Sequence, residues 1–191
     1  MDYNKKNCVK MFLVFLFATF IFIMSCTNED LEEWGIFPQD ALRIEKIEPC
    51  FFTVIDTIEG TESFSTVKVK FWVKSGELQH QYQLNLYKYE ILYFYEDGDT
   101  VVFINKSNPN STIQKLSFSI NCDVKANDEI ELLNVPFYPG YLKNYRPDRD
   151  KDNLNLNRVN LEGEIIIYGK ERLTGRIFKG SGNFTVILYS K

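Results

Sequence analysis

The chain of 191 residues is poor in the side chains that bind metals and transfer protons. It has one histidine, His80, and four cysteines, no two of which form a C-x-x-C pair. A structural zinc site needs four such ligands at characteristic spacings, so none is expected. Motifs of nucleophilic catalysis such as G-x-S-x-G are also missing from the sequence. The sequence therefore predicts no metal, no other cofactor and no enzyme.

An excess of basic charge is missing as well. Lys and Arg number 22 against 26 Asp and Glu, a formal net charge of -4. The first 25 residues hold three of the lysines and one aspartate, so the remainder has 19 basic and 25 acidic side chains, a charge of -6. Binding to nucleic acid or to an anionic lipid surface rests on basic patches. We expect no nucleic-acid partner, and any membrane attachment has to come from another feature.

The long apolar run of the chain is too short to span a membrane. Residues 11–24 carry no charge and follow Lys5, Lys6 and Lys10. As a helix, these 14 residues would extend about 21 Å, whereas the hydrocarbon core is about 30 Å thick. A basic segment followed by a short apolar one is typical of a secretory signal peptide.

The segment Ile23-Met24-Ser25-Cys26, which ends this run, resembles the lipobox of bacterial lipoproteins. The resemblance implies cleavage before Cys26 and a diacylglyceryl group on its sulfur. Each buried CH₂ contributes about 0.8 kcal/mol, so two or three acyl chains anchor a protein firmly. Residues 27–33 are polar and acidic, as in a solvated tether, and resemble the surface-export signal of lipoproteins in the Bacteroides group. The alternative is an ordinary secretory signal with an incidental cysteine.

From Leu42 onward, apolar and polar residues alternate with the period of β-strands. The alternation is clearest over 67–73 and 116–122, and the sequence Glu96-Asp97-Gly98-Asp99 predicts a hairpin turn between strands at 91–95 and 101–104. Further strands are predicted at 43–47, 50–55, 78–86, 131–135, 162–168 and 184–189. The proline-rich and charged segment 136–157 predicts a long surface loop without a regular strand.

The predicted organisation is a signal peptide over 1–25, an acidic tether over 26–40 and one all-β domain over 41–191. Residues 163–188, with glycines between β-branched residues, resemble the closing strand pair of immunoglobulin-like domains in bacterial exported proteins. The resemblance implies an immunoglobulin-like β-sandwich of about eight to ten strands following the N-terminal signal helix. A lipocalin-like β-barrel is the alternative.

Two cysteines remain after the signal peptide and Cys26 are set aside. Cys50 and Cys122 both lie on predicted strands of an exported protein, where two thiols can form a disulfide. Exported domains with good cores also keep buried free cysteines, and the sequence leaves both alternatives open.

A D-x-D-x-D run offers oxygen ligands at alternate positions, as calcium loops do where they begin. Its members are Asp148, Asp150 and Asp152. An EF-hand loop would continue with glycine and glutamate where this chain has Asn153 and Val159. We therefore expect a solvated loop, with calcium as the alternative.

Aromatic residues are concentrated in the middle of the domain and could form an exposed platform for a sugar or peptide. They are Trp72, Tyr82, Tyr87, Tyr89, Tyr93 and Tyr95. Because aromatic side chains suit strands and cross-strand pairs, we expect them to pack in the sheet instead. We expect His80, in the predicted strand 78–86, to be a half-buried polar residue.

An anchor joined to an all-β body favours a non-catalytic cell-envelope lipoprotein. The lipid on Cys26 would attach it to a bacterial membrane, the outer membrane being favoured, on the periplasmic or surface face. Its domain would bind another envelope protein or a glycan, through residues that the sequence does not identify. The alternatives are a lipocalin-like carrier of a small apolar ligand and an envelope hydrolase built on sheet carboxylates.

Overall fold

The structure of the protein, a computed structural model, describes residues 37–55, 63–74, 81–151 and 158–189. The predicted signal peptide, Cys26 and the acidic stretch after it lie outside the described residues. His80 and Asp152 lie outside them too. None of the helical turns in the described ranges is long and apolar enough to cross a membrane.

The described residues form an all-β structure, as the period-two alternation predicts. Two short 3-10 turns, Gly140–Asn144 and Asp148–Lys151, flank the short strand Tyr145–Pro147. The strands are β1 (Leu42–Glu48), β2 (Phe51–Ile55), β3 (Ser63–Phe71), β4 (Gln83–Phe94), β5 (Phe103–Asn105), β6 (Thr112–Ile113), β7 (Lys115–Lys125), β8 (Glu129–Tyr138), β9 (Tyr145–Pro147), β10 (Val159–Glu171) and β11 (Ile177–Tyr189).

The described strands are arranged in three sheets. The largest has five strands in the order β2-β11-β10-β4-β7, and a second has three in the order β1-β3-β8. A small third sheet has the order β6-β5-β9. All pairings are antiparallel except that of β2 with β11, which is parallel.

One hydrophobic core joins the three sheets. Val67, Val69 and Phe71 of β3 are fully buried, while the lysines between them are not. Ile165 and Ile167 of β10 are fully buried on the large sheet. Burying each such side chain contributes about 1.5–3 kcal/mol, so this alternation drives strand formation and fixes which face of each strand is inward.

Strand β1 of the second sheet lies directly on β11 of the large one. A Cβ atom added at Gly180 would lie 2.6 Å from the carbonyl oxygen of Leu42, and one at Gly182 would lie 3.1 Å from Ile44. Only glycine permits the two backbones to approach this closely. The glycines of β11 therefore set how the two sheets join.

The predicted turn at Asp97-Gly98 is confirmed, but the predicted hairpin strand 101–104 does not form a ladder with β4, because β5 pairs with β6 and β9 in the third sheet. The amide of Gly98 donates to the carbonyl of Tyr95 at 2.8 Å, and Gly98 has a φ of 87°, which favours glycine. Beyond the turn, Val101 donates to the carbonyl of Tyr93 at 2.8 Å, and the chain then leaves the large sheet to form β5.

The aromatic residues of β4 are mostly core residues, because the strand contains a bulge. The registers of β4 with both β10 and β7 shift between Leu86 and Lys88. Tyr87 is an extra residue relative to β10, whereas on the other side β7 has two residues, Ile120 and Asn121, opposite Tyr87. The bulge changes the inward positions from even to odd numbers, so Tyr89 and Tyr93 are 5% and 1% exposed. The platform hypothesis is wrong for these two side chains and for Tyr95, which is also buried.

The other aromatic candidates are half-buried. Tyr82 packs edge-on against Phe37, with ring centroids 4.9 Å apart. The guanidinium of Arg43 lies 5.0 Å from the ring centroid of Trp72, and Tyr87 lies 6.4 Å from Tyr168. These side chains support the sheets and do not form one platform.

The segment 136–157 is more regular than expected. Pro136 lies within β8, and Pro147 is the last residue of β9. Proline removes one ladder donor but is tolerated in edge strands and at strand ends, and β8 and β9 are both edge strands of their sheets. The expectation of a strandless loop is therefore wrong over 136–138 and 145–147, and residues 152–157 lie outside the described ranges.

The folded domain includes part of the segment assigned to the tether. Phe37 is 2% exposed and packs against Phe71 and Phe178, with centroid distances of 6.0 and 5.2 Å. A large apolar ring four residues before the expected start at residue 41 fills the end of the core.

Candidate functional site

A depression of about 510 Å³ opens on the outer face of the large sheet. Its polar side chains come from two neighbouring strands: Glu162 and Glu164 of β10, and Asn183 and Thr185 of β11. Glu162 is directly opposite Thr185, and Glu164 is opposite Asn183. Side chains two apart on a strand point to the same face, so strand pairing alone brings these four groups together.

Apolar groups close the depression on both sides. Phe94 of β4 lies opposite Glu162, and Cys50 precedes β2 at the other side. The carbonyl of Cys50 accepts a hydrogen bond of 2.9 Å from the amide of Thr185, which fixes the thiol-bearing residue at the rim. Phe51, the next residue, is 53% exposed. The depression therefore offers carboxylate, amide, hydroxyl and aromatic surfaces to one bound group.

Gly163 and Phe184 form the floor, between the two rows of polar residues and at strand positions that face the core. A Cβ atom at Gly163 would lie 2.2 Å from Cζ of Phe184, so that a side chain at 163 and this ring cannot share the space. The ring of Phe184 packs in the core, 4.2 Å from that of Phe137. The missing side chain at Gly163 thus leaves room for the Phe184 ring on the core side of the sheet, directly beneath the depression.

The charge of the depression is negative. Neither Glu162 nor Glu164 makes an ion pair with a described residue, whereas several other carboxylates on the described strands do. At its edge, the amide of Asn160 donates to Glu96 at 3.1 Å and its oxygen accepts from Arg158 at 3.0 Å. The depression therefore favours ligands with hydrogen-bond donors or positive charge.

A buried carboxylate, Glu90, lies beside the depression on the same face. Its Oε1 accepts from the ammonium groups of Lys88 and Lys115 at 2.9 Å each, and its Oε2 accepts from the Tyr168 hydroxyl at 2.9 Å. Burial raises the pKa of Glu90, but the three donors outweigh burial and lower the pKa to about 2. The ammonium of Lys88 also lies 4.5 Å from the Tyr168 ring centroid. Both oxygens are occupied, so this cluster supports the sheet surface and does not present a reactive acid.

The calcium candidate Asp148 has a structural role. Its Oδ1 accepts from the Tyr95 hydroxyl at 2.8 Å and from the amide of Val102 at 3.2 Å. The neighbouring Arg149 binds Asp97 and Asp99 through its guanidinium, which lies 4.4 Å from the Tyr95 ring centroid. These contacts attach the 148–149 turn to the hairpin. Among the described residues no group of three metal-binding side chains occurs.

The two cysteines of the domain are free thiols, so the disulfide alternative is not formed. Cys50 is exposed and Cys122 is half-buried. Cys50 adjoins β2 and Cys122 lies on β7, and these strands are opposite edges of the large sheet. Bonded cysteines need Cα atoms about 4.4–6.8 Å apart, and three strands separate these two.

The four polar residues of the depression are not among the candidates that the sequence predicts, although a signal for them exists. The predicted strand 162–168 places Glu162 and Glu164 on one face. A turn centred between Leu173 and Thr174 would then place Asn183 and Thr185 opposite them. The residues Thr174-Gly175 indicate a turn, but they do not fix its centre, and the register depends on that centre.

No protein-family model matches the chain, and no curated protein matches its sequence. The candidate site therefore rests on the geometry of β10, β11 and their neighbours.

Proposed function

We propose that the chain is a membrane-anchored lipoprotein of the bacterial cell envelope whose β domain is a non-catalytic binding module. The anchor is proposed from the lipobox resemblance at Cys26 and the short apolar run before it. The outer membrane, on its periplasmic or surface face, is the proposed location. The partner is another envelope protein or a glycan, bound in the depression on the large sheet.

We infer a β-sandwich, immunoglobulin-like in its closing strand pair, in preference to a ligand-holding barrel. Rings from opposite sheets are in contact: Phe52 with Phe137 at 5.3 Å, and Phe71 with Phe178 at 5.7 Å between centroids. A lipocalin-like carrier needs an interior left open for its ligand. Side chains that fill the space between the sheets favour a solid core, and the carrier function is accordingly the less favoured alternative.

The observation that carries the binding proposal is the mixed lining of the depression. Two carboxylates, an amide and a hydroxyl lie beside an aromatic ring within a space of about 510 Å³. Ligand sites typically combine apolar walls with a few polar groups that fix orientation, and they fall in this range of volumes. Hydroxyl-rich sugars and basic peptide side chains both suit such a lining.

The hydrolase alternative is less well supported by the same residues. Glu162 and Glu164 project from one strand toward the same side, about 7 Å apart along it. The two carboxylates of a glycosidase flank the scissile bond from opposite faces of the sugar. Adjacent carboxylates on a strand are better suited to accepting hydrogen bonds from a bound group.

The thiol of Cys50 makes the proposal testable in cells. In the proposed mature protein, Cys8 is removed with the signal peptide and the sulfur of Cys26 carries lipid. In the variant Cys122→Ser, the remaining free thiol is therefore that of Cys50. We expect a maleimide to label it more slowly in intact envelopes than in purified protein, because a bound partner covers the depression. The matched control is Ser119→Cys, on the outer face of β7 and away from the depression, with Cys50 and Cys122 replaced by serine.

Equal labelling of Cys50 in envelopes and in purified protein, after correction by that control, would contradict the binding proposal. Soluble peptidoglycan fragments added to the purified protein then separate the two kinds of partner. Slower labelling indicates a glycan, and unchanged labelling indicates a protein partner.

A further inference from the structure

The turn between β10 and β11 holds two large apolar side chains in solvent. Leu173 is 63% and Ile177 61% exposed, although most apolar residues of these strands are buried. The turn itself is rigidly held, because the buried carboxylate of Glu171 accepts from the amide and hydroxyl of Thr174 at 2.6 and 2.8 Å. The amide of Gly175 closes the turn on the Glu171 carbonyl at 2.9 Å. The apolar side chains are thus fixed in an exposed position.

Basic side chains surround this turn. Lys170 and Lys179 are exposed on the adjoining ends of β10 and β11, and Lys125 is exposed at the end of β7. Arg172 is also exposed and pairs with Asp123 at 2.6 Å. The exposed acidic residues described at this end are Asp123, Asp128 and Asp40, the last of which pairs with Arg43. The basic side chains outnumber them, so this end is locally positive although the charge after residue 25 is -6.

The chain enters the domain at the same end. Phe37, the first described residue, lies 5.2 Å from the ring of Phe178, and the guanidinium of Arg176 lies 5.9 Å from the Phe37 centroid. Cys26 precedes Phe37 by 11 positions. A chain of that length reaches at most about 40 Å, so a lipid on Cys26 would keep this end near the membrane without orienting it.

We propose that the β10–β11 turn is a second membrane contact, in which Leu173 and Ile177 insert at the headgroup level of an anionic lipid surface. The inference rests on the proposed lipid anchor. Lys170 and Lys179 flank the inserted residues and face the lipid phosphates. The tether raises the local concentration of the turn at the membrane, so that a contact too weak to bind alone becomes occupied. In this orientation the strands of the large sheet extend away from the membrane surface, and the depression faces parallel to the membrane plane.

Charge alone does not account for the contact. The acidic stretch 27–33 carries four acidic residues, Glu29, Asp30, Glu32 and Glu33, which oppose attraction to anionic lipid. Insertion of the two apolar side chains has to supply the contact, and the lysines favour a negative surface beneath them.

Tryptophan quenching in vesicles tests the proposal with the full lipidated protein. In a background of Trp34→Phe and Trp72→Phe, one variant carries Leu173→Trp and the control carries Leu133→Trp. Leu133, 67% exposed on β8, matches Leu173 in residue type and exposure but lies away from this end of the domain. Each protein is incorporated into vesicles of phosphatidylethanolamine and phosphatidylglycerol with brominated acyl chains. Both variants should melt like the parent, because neither leucine is buried.

The expected result is that the tryptophan introduced by Leu173→Trp loses most of its fluorescence and that the control loses little. Equal quenching of the two variants in protein that floats with the vesicles overturns this proposal alone. Protein that does not float with the vesicles lacks the lipid anchor, which overturns the proposed function as well. Replacing phosphatidylglycerol by phosphatidylcholine should reduce the quenching, and unchanged quenching there overturns the preference for anionic lipid.

Discussion

Replacing Glu90 by glutamine tests the carboxylate cluster that lies beside the depression. Glu90 is 6% exposed and accepts hydrogen bonds from Lys88, Lys115 and Tyr168. Burial raises its pKa, yet these contacts hold the pKa at about 2 in the folded protein, against 4.5 for the free side chain. The difference between these two pKa values corresponds to at most about 3 kcal/mol. Since both lysine ammonium groups are partly in solvent, screening reduces the expected loss to about 1–3 kcal/mol.

The same substitution makes a prediction about pH. A folded-state pKa below the unfolded value contributes stability that is complete above about pH 4.5 and is lost as the pH falls toward 2. Glu90→Gln should therefore lower the melting temperature by about 3–8 °C at pH 7 and have little effect near pH 2. Thermal unfolding of the Cys26→Ser protein, followed by circular dichroism across this range, measures both.

Glu162→Gln is the matched control, because Glu162 is an exposed carboxylate of the same face without an ion pair to a described residue. It should leave the melting temperature within about 1 °C of the parent. Two results would refute stabilisation by the Glu90 cluster. One is that Glu90→Gln and Glu162→Gln have the same melting temperature at pH 7. The other is that Glu90→Gln lowers the melting temperature equally at pH 7 and pH 2.

Three further results are expected. Gly163→Val should destabilise the protein by about 1–3 kcal/mol in urea unfolding, because the new side chain collides with the Phe184 ring, and unchanged stability would contradict the floor described for the depression. Phe137→Ala should cost about 3–5 kcal/mol, since its ring joins the two larger sheets, and a loss below about 1 kcal/mol would show that this part of the core is loosely packed. In the folded protein, Cys50 should react with a maleimide faster than the half-buried Cys122, and the reverse order would contradict their placement.

The local structure of the domain is predictable where apolar periodicity and turn chemistry agree. Residues 67–71 and 116–122 alternate along strands β3 and β7 as expected, and Gly98 has the positive φ that its Asp-Gly turn predicts. In such segments each residue's preference depends on its immediate neighbours and on which face is buried.

Long-range features are not predictable in the same way. Strand β4 begins at Gln83, within the predicted strand 78–86, and continues through the bulge at Tyr87 to Phe94 of the predicted strand 91–95. The bulge moves Tyr89 and Tyr93 into the core. Nothing in the local sequence pattern marks the extra residue, because β4 would bury apolar side chains with or without a bulge. Pro136 predicts a break in the strand, whereas it lies in an edge strand, where a missing donor costs little.

The candidate depression depends on register across two strands. Its residues are separated along the chain by the β10–β11 turn, and only the centre of that turn determines which of them face each other. The sequence indicates that 162–168 and 184–189 are strands, but it does not rank their polar side chains above those of other strands. The site therefore had to be located from the structure.

Mass spectrometry of the mature protein purified from its membrane tests the central claim most directly. We predict an N-terminal residue Cys26 that carries a diacylglyceryl group, with residues 1–25 removed. An intact Met1, or a mature N-terminus at any residue other than an acylated Cys26, would contradict the proposed anchor.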